Sequence, residues 1–381
     1  MTRRLAFRIM ILLVTALAAA ACQWRELDYD YINTAKITVI FDWSESGLET
    51  KADRTAVQPG DLINGRTAAF YPVGGGEPVI KYSHSDTLTV NLLEGEYRAV
   101  FFNETFEDFD NIRFEGINRF EDLEAKAKED VVATTRAGGS IVRDPDILAV
   151  DMMIPFTVTE DMVRYTRALE TKKTKGFDTK TTKALEEAMT VIVRPRSVVY
   201  RVTVEVVVTG WENVVSSGAY ISGFAGGYDF SEGHPNGTSV THKVNFTNGG
   251  DSPVAEGASV LTATFQCFGY RDGSGNPLSG YSIDFRAMLV NGEIFQTSRN
   301  LDYLITEGVV DGHLVIYINI GDGSGGGGSG GGDDPDDPDD PESGNKPIVI
   351  PDVQPVGGEG MWTVDVGEWD EVVIPVEWPE E

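Results

Sequence analysis

The chain has 381 residues, with 60 Asp plus Glu against 31 Lys plus Arg, a formal net charge of -29 and 2 cysteines. Like-charge repulsion over the Debye length excludes capture of a phosphate backbone or an anionic leaflet by the surface as a whole, so nucleic acid is not an expected partner. Hydrophobic residues make up 41% of the sequence, which is enough for real cores in the two or three domains this length holds.

Arg3, Arg4 and Arg8 precede an apolar run from Ile9 to Leu17 and the small residues Ala18 to Ala21. A positive start, a short apolar centre and a small-residue cleavage site form a secretory signal over residues 1–21, too short to be a transmembrane anchor. Leu17, Ala19, Ala20 and Ala21 stand directly before Cys22, in the manner of a bacterial lipobox. Cys22 is therefore expected to be the lipidated first residue of the mature chain, with palmitate among its acyl groups and the outer membrane as its location. Each buried methylene is worth about 0.8 kcal/mol, so several acyl chains on one cysteine hold a protein at a membrane almost permanently. Simple export with Cys22 as a passenger is the alternative. An acylated Cys22 leaves Cys267, in the apolar stretch from Leu261 to Phe268, as a buried thiol without a disulfide partner.

Beyond a tether over 22–34, Ala35 to Trp43 alternates apolar positions with β-branched residues, the pattern of a half-buried strand. Thr67 to Tyr71, Asp86 to Leu92, Glu96 to Asn103 and Asp151 to Thr159 repeat the signal. Glu94 and Gly95 mark a tight turn, and Pro155 places its strand at an edge or a bulge. Residues 35–160 are expected to form an N-terminal β-sandwich. The segment 161–188 holds the basic cluster KKTKGFDTKTTK and is expected to be a solvated connector or insertion with one or two helical turns.

Met189 to Arg194 and Val198 to Val208 open a second all-β series that is expected to run to residue 381. Further strands are expected at Ala219–Ala225, Val240–Phe246, Ser259–Phe268, Ser282–Leu289, Glu293–Phe295 and His313–Ile320. Asn291-Gly292 points to a hairpin with a type I′ turn. The Gly/Asp-rich loop 321–347 cannot form a packed core, and Gly360 to Val376 returns to strand-like alternation, expected as the last strands of this sandwich. Acidity is concentrated here: residues 333–381 hold 16 carboxylates and one lysine. The aspartates lack the spaced ligands and closing Glu of a calcium loop, so the run reads as a self-repelling excursion. The fold class is thus all-β, with two tandem sandwiches.

No catalytic constellation appears. His84, His234, His242 and His313 show no HExxH or zinc-finger spacing, and His234 and His242 fall in a Gly/Pro/Asn-rich stretch that reads as exposed. Gly223 to Gly227 lacks the βαβ context of a dinucleotide site and reads as a bulge or a close strand approach. Acidic pairs such as Asp28 with Asp30 or Asp108 with Asp110 are expected by chance among so many carboxylates. Phe101, Phe102, Phe106 and Phe109 form an aromatic patch that suits either a core or a platform for a sugar or another subunit, and the same question attaches to Trp211 and Trp362. No residue is assigned to catalysis, a cofactor or a metal.

Cys22, Arg25, Leu27 and Tyr29, the segment VIFDW (Val39–Trp43), Phe70 to Pro72, Gly95 to Tyr97, Asn103, SGAYISGF (Ser217–Phe224), Phe268-Gly269 and the WTVDVGEW core of Gly358 to Trp369 together resemble DUF5119 lipoproteins of Bacteroidales. That resemblance implies a relation to fimbrillin-like and fimbrial anchor proteins, surface lipoproteins with two transthyretin-like β domains and no catalytic residues. The chain departs from the pattern in its basic segment and its Gly/Asp excursion. The implied function is that of a lipid-anchored structural protein of the cell surface, a fimbrial anchor or accessory subunit in adhesion that takes fimbrillin-like subunits by strand addition at an exposed edge. A surface glycan-binding lipoprotein is the alternative.

Overall fold

The structure is a computed structural model that describes residues 33–46, 48, 64–134, 140–170, 178–278, 280–302, 304–310, 313–321 and 346–354, excepting the side chains of 131–134 and 140. The signal segment, Cys22, the Gly/Asp run from 322 to 345, Trp362 and the expected last strands at 360–376 lie outside these residues.

The described chain starts with β1 (Thr34–Phe41), β2 (Arg66–Pro72), β3 (Val79–Ser83), β4 (Thr87–Leu93) and β5 (Gly95–Asn103). Next come β6 (Ile112–Glu115), β7 (Glu124–Ala127), β8 (Glu129–Thr134), β9 (Ser140–Val142) and β10 (Ala149–Val158). Helices α1 (Glu160–Glu170) and α2 (Thr179–Ala188) are followed by β11 (Thr190–Val193), β12 (Arg196–Ser197), β13 (Tyr200–Thr209) and β14 (Val214–Ala225). The remainder comprises β15 (Gly227–Asp229), β16 (His234–Pro235), β17 (Ser239–Asn245), β18 (Thr247–Asp251), β19 (Ala258–Cys267), β20 (Ser282–Leu289), β21 (Ile294–Asn300), β22 (Ile305–Val310), β23 (His313–Ile320) and β24 (Ile348–Val349).

These strands make five sheets. Sheet 1 runs β11-β1-β4 and sheet 2 runs β12-β10-β5-β2-β3. Sheet 3 is β16-β15-β7-β6, sheet 4 is β21-β20-β14-β17-β9-β8, and sheet 5 is β18-β19-β13-β23-β22 with β24 also on β13. In β1, Ala35, Ile37, Val39 and Phe41 point inward, as the alternation requires. They pack on Phe70, Ala99 and Phe101 of sheet 2 to form one core. Each fully buried aliphatic or aromatic side chain of this kind contributes roughly 1.5–3 kcal/mol.

Sheet 2 is covered on both faces. Ala68, Phe70, Ala99, Phe101, Ile147 and Ala149 face sheet 1, whereas Ala69, Tyr71, Val100, Phe102, Leu148 and Val150 belong to the core shared with the rest of the chain. Phe114 of sheet 3 stacks 5.4 Å from Phe102 and lies 6.1 Å from Phe230, so sheet 3 joins the two halves. Sheets 4 and 5 pack against each other in that shared core, with Phe224 and Phe265 edge to face at 5.3 Å.

Several expectations change in three dimensions. Glu94 separates β4 from β5 as a tight turn, but these strands lie in different sheets, so the turn is a corner between layers and not a hairpin. Pro155 coincides with a register shift between Met153 and Phe156 where β10 pairs β5, the bulge that its missing N–H favours. The β20–β21 hairpin forms, but among the described residues positive φ in this turn falls on Gly292 (+82°) and not on Asn291. The Gly292 N–H donates to Leu289 O at 2.9 Å, giving a type I turn that ends on a left-handed glycine instead of type I′.

The segment expected as a connector is helical and partly built into the first sandwich. Met162, Val163, Tyr165 and Thr166 fall on one face of α1, and this face is buried against the core of sheets 1 and 2. Thr159 starts the helix by accepting from the Met162 N–H, through its carbonyl at 3.1 Å and its hydroxyl at 3.4 Å. The Lys36 N–H donates to Thr166 Oγ1 at 3.0 Å, which ties α1 to β1. Helix α2 starts at Asp178, whose carboxylate accepts from the Thr181 N–H at 2.8 Å and is held below its ordinary pKa mainly by that bond. Strand β11 then pairs in parallel with β1, and β12 pairs with β10. Residues 190–193 and 196–197, expected to open the second sandwich, therefore pair into sheets 1 and 2.

Candidate functional site

The aromatic patch is core. Phe101 and Phe102 are fully buried, Phe109 is buried, and half-buried Phe106 packs 4.9 Å from Phe102 and 5.0 Å from Phe114. Phe101 faces the opposite core from Phe102, so the quartet makes no single platform. Trp211 is half-buried against the second core. Asp108 and Asp110 are exposed, and Asp28 and Asp30 lie outside the described residues. Gly223 sits at a register shift between Ser222 and Phe224, where a Cβ would meet Tyr281 at 2.5 Å, so close approach accounts for it.

The histidines separate. His84 is exposed, and His234 is half-buried with Nε2 2.8 Å from Glu232 Oε2. His242, expected to be exposed, is 1% exposed and lies 4.6 Å from the Phe265 ring, because it points inward from β17. Its Nδ1 is 3.4 Å from Asp144 Oδ1 without hydrogen-bond geometry. Among the described residues, no group of three or more His, Cys, Asp or Glu is placed to hold a metal ion. Cys267 is buried, and burial pushes its thiol pKa up to about 12. With Cys22 replaced by serine, a thiol reagent at pH 8 should find no reactive group in the folded chain and one equivalent in denaturant. One equivalent in the folded chain would contradict this burial.

A cavity of about 370 Å³ lies beneath the helices, lined by Lys36, Tyr165, Thr166, Glu186 and Met189 among others. The Tyr165 hydroxyl donates to Glu186 Oε1 at 2.7 Å across it.

A second surface is assembled by the outer face of sheet 4. Alternation in β14 sends Ala219 and Ile221 into the core and leaves Gly218, Tyr220 and Ser222 on the opposite side. Cross-strand register then places Lys243, Tyr220, Asp284 and Ser298 in one row, and Asn245, Gly218, Arg286 and Gln296 in the next. The Arg286 guanidinium carbon lies 5.2 Å from the centre of the Tyr220 ring, a cation–π contact. The Ser298 hydroxyl donates to Asp284 Oδ1. At Gly218 a Cβ would meet Val244 O at 2.8 Å and Asn245 Oδ1 at 3.2 Å, so the missing side chain allows Asn245 to lie close over the sheet. The result is a notch of about 10 Å³ lined by Gly218, Tyr220, Lys243, Asn245 and Arg286, of the order of one water or hydroxyl. Arg286 Nε is buried at it with no hydrogen-bond partner among the described residues. An aromatic ring among amides, hydroxyls and charges can hold a polar ligand that also has an apolar face. Sequence reasoning passed over this face because its members come from four strands. The signal within reach was SGAYISGF, which places Gly218 and Tyr220 on one side.

A different kind of surface is the β22 side of sheet 5. Strand β22 pairs only with β23 among the described residues, and its Val309 and Val310 are 67% and 46% exposed.

No curated protein matches the sequence. Among solved structures, the fold is similar to that of a candidate adhesin from Bacteroides ovatus, with 18% identity, a TM-score of 0.50 and coverage of 73% of this chain and 86% of that one. A candidate polysaccharide-binding protein from Bacteroides thetaiotaomicron aligns at 11% identity and a TM-score of 0.40, covering 75% of this chain and 89% of that one. The fimbrial anchor protein Mfa2 from Porphyromonas gingivalis aligns at 14% identity and a TM-score of 0.35, covering 69% and 82% of the two chains. Residues 21–246 match the family model described as a domain of unknown function, DUF5119, and the chain belongs to that family.

Proposed function

We propose that the chain is a lipid-anchored, non-catalytic adhesion protein of the cell surface that recognises a glycan on the outer face of sheet 4. The observation that carries this reading is the row of Tyr220, Asp284 and Ser298 beside Asn245, Arg286 and Gln296. It offers one aromatic face with several hydrogen-bonding groups on rigid strands. The adhesin-like fold supports it. In this reading the two sandwiches are the transthyretin-like pair of the resemblance, and Cys22 carries the lipid that holds them at the outer membrane. Recognition needs no catalytic group, since affinity comes from shape, stacking and hydrogen bonds on a preformed surface.

Binding to a glycan array by the wild-type chain, lost in Tyr220→Ala, would support this assignment. Retention of no glycan by the wild type would sink it. For the anchor, Cys22→Ala is expected to abolish palmitate labelling and move the chain out of the outer-membrane fraction; unchanged fractionation would refute lipid attachment at this residue.

The exposed β22 edge favours a second reading, a fimbrial accessory subunit that accepts a partner strand. Main-chain pairing to an open edge supplies affinity with little demand on sequence. Co-purification of fimbrillin-like subunits that is weakened by Val309→Pro would support it, whereas recovery of none would count against it.

A further inference from the structure

We infer that the glycan taken by sheet 4 is acidic, one oxygen of its carboxylate or sulfate seated in the Gly218 notch and the rest of the group held over its mouth between Arg286 and Lys243. The inference rests on the glycan reading above and names the class of sugar. Its basis is an imbalance of charge and hydrogen bonding on this face.

The chain as a whole carries a net charge of -29 and repels anions at long range. Two cations nevertheless border the notch, and neither makes an ion pair with a carboxylate among the described residues. Lys243 is exposed on β17. Arg286 is half-buried, its guanidinium rests against Tyr220, and its Nε has no acceptor among the described residues. A charged donor buried without an acceptor is costly, and a planar guanidinium is best satisfied by an oxyanion of matching geometry. Asp284, two residues along the same strand, accepts from Ser298 on the flank away from Lys243. It therefore leaves the notch to the two cations.

The geometry also links the acidic group to the ring. An oxyanion at the notch draws the guanidinium off Tyr220, gives Nε its acceptor and bares the aromatic face. The pyranose ring then lies on that face, and its hydroxyls reach Asn245, Gln296 and Ser298. Gly218 is part of the device, because a side chain there would collide with Val244 O and Asn245 Oδ1 and close the notch.

The test is calorimetric titration of the full chain in detergent with three probes: an oligogalacturonate, a carrageenan oligosaccharide, which bears sulfate and no carboxylate, and a neutral galacto-oligosaccharide. At least one acidic probe is expected to bind about tenfold or more tightly than the neutral one, with affinity falling as salt rises. Which acidic probe binds distinguishes carboxylate from sulfate. Arg286→Gln and Lys243→Gln are each expected to weaken acidic binding by about tenfold, the loss of one charge-assisted hydrogen bond. Lys243 is exposed, so that variant remains informative even if Arg286→Gln fails to fold, which near-ultraviolet circular dichroism would reveal. Equal binding of neutral and acidic probes, or acidic binding unchanged in Lys243→Gln, overturns the acidic assignment. The glycan reading then survives only if Tyr220→Ala still abolishes binding. Failure of all three probes, together with an empty glycan array, overturns both.

Discussion

Alanine at Phe102 is expected to lower the unfolding free energy by about 3–5 kcal/mol, the range for deleting a fully buried Phe side chain. The ring is 0% exposed and has aromatic neighbours in Phe106, Phe109, Phe114 and Phe230, at 4.9, 6.5, 5.4 and 6.5 Å. Phe230 follows β15 of sheet 3, far along the chain from β5, so the ring joins sheet 2 to the second half of the molecule. The matching variant Phe101→Ala removes an equally buried ring one residue away, but from the core shared with Phe41 and Phe70. Urea denaturation should therefore give similar losses for the two variants. Hydrogen exchange should separate them, with Phe101→Ala raising exchange in β1 and β4 and Phe102→Ala raising it in β6, β7 and around Phe230. Identical exchange maps would show that the two faces of sheet 2 do not back onto separate cores.

Replacing Asn103 with leucine should cost about 2–5 kcal/mol, because it orphans two buried backbone groups at once. Asn103 is 4% exposed at the end of β5. Its Nδ2 donates to Ile147 O at 2.8 Å, and its Oδ1 accepts from the Ala149 N–H at 2.8 Å. These bonds continue the pairing of β5 with β10 past Val150, where the regular ladder between them stops. Leucine keeps the branched heavy-atom skeleton but is bulkier, so the loss combines the two orphaned backbone groups with crowding at a buried site. Asn103→Asp keeps the acceptor for Ala149 but sets a carboxylate against Ile147 O, and it should also destabilise the fold. A shift in urea midpoint with unchanged slope would report this loss directly, and a cost under about 0.5 kcal/mol would show that the two backbone groups find other partners.

Much of the β architecture is legible along the chain. Where one face of a strand meets a core and the other meets solvent, as in β1, β4, β19 and β20, apolar residues recur every second position and the strand is evident. The helices were less legible. The buried positions of α1 span only Met162 to Thr166 beside a lysine-rich run, so composition pointed to solvent while one short stripe packed on the sheet.

The acidic balance, the β class and most strand positions follow from the sequence by itself, because each depends on composition or on contacts local in the chain. Only the tertiary structure decided what covers each face. Sheet 2 is buried on both sides, which removes the alternation from β2 and much of β5 and leaves Phe101 and Phe102 looking alike although they serve different cores. The parallel pairing of β11 with β1 depends on a register more than a hundred residues apart, which no local pattern encodes. The same holds for the candidate site. Gly218, Tyr220, Lys243, Asn245, Arg286 and Gln296 form no motif in sequence; cross-strand register aligns them, and the inward packing of their neighbours turns them outward together.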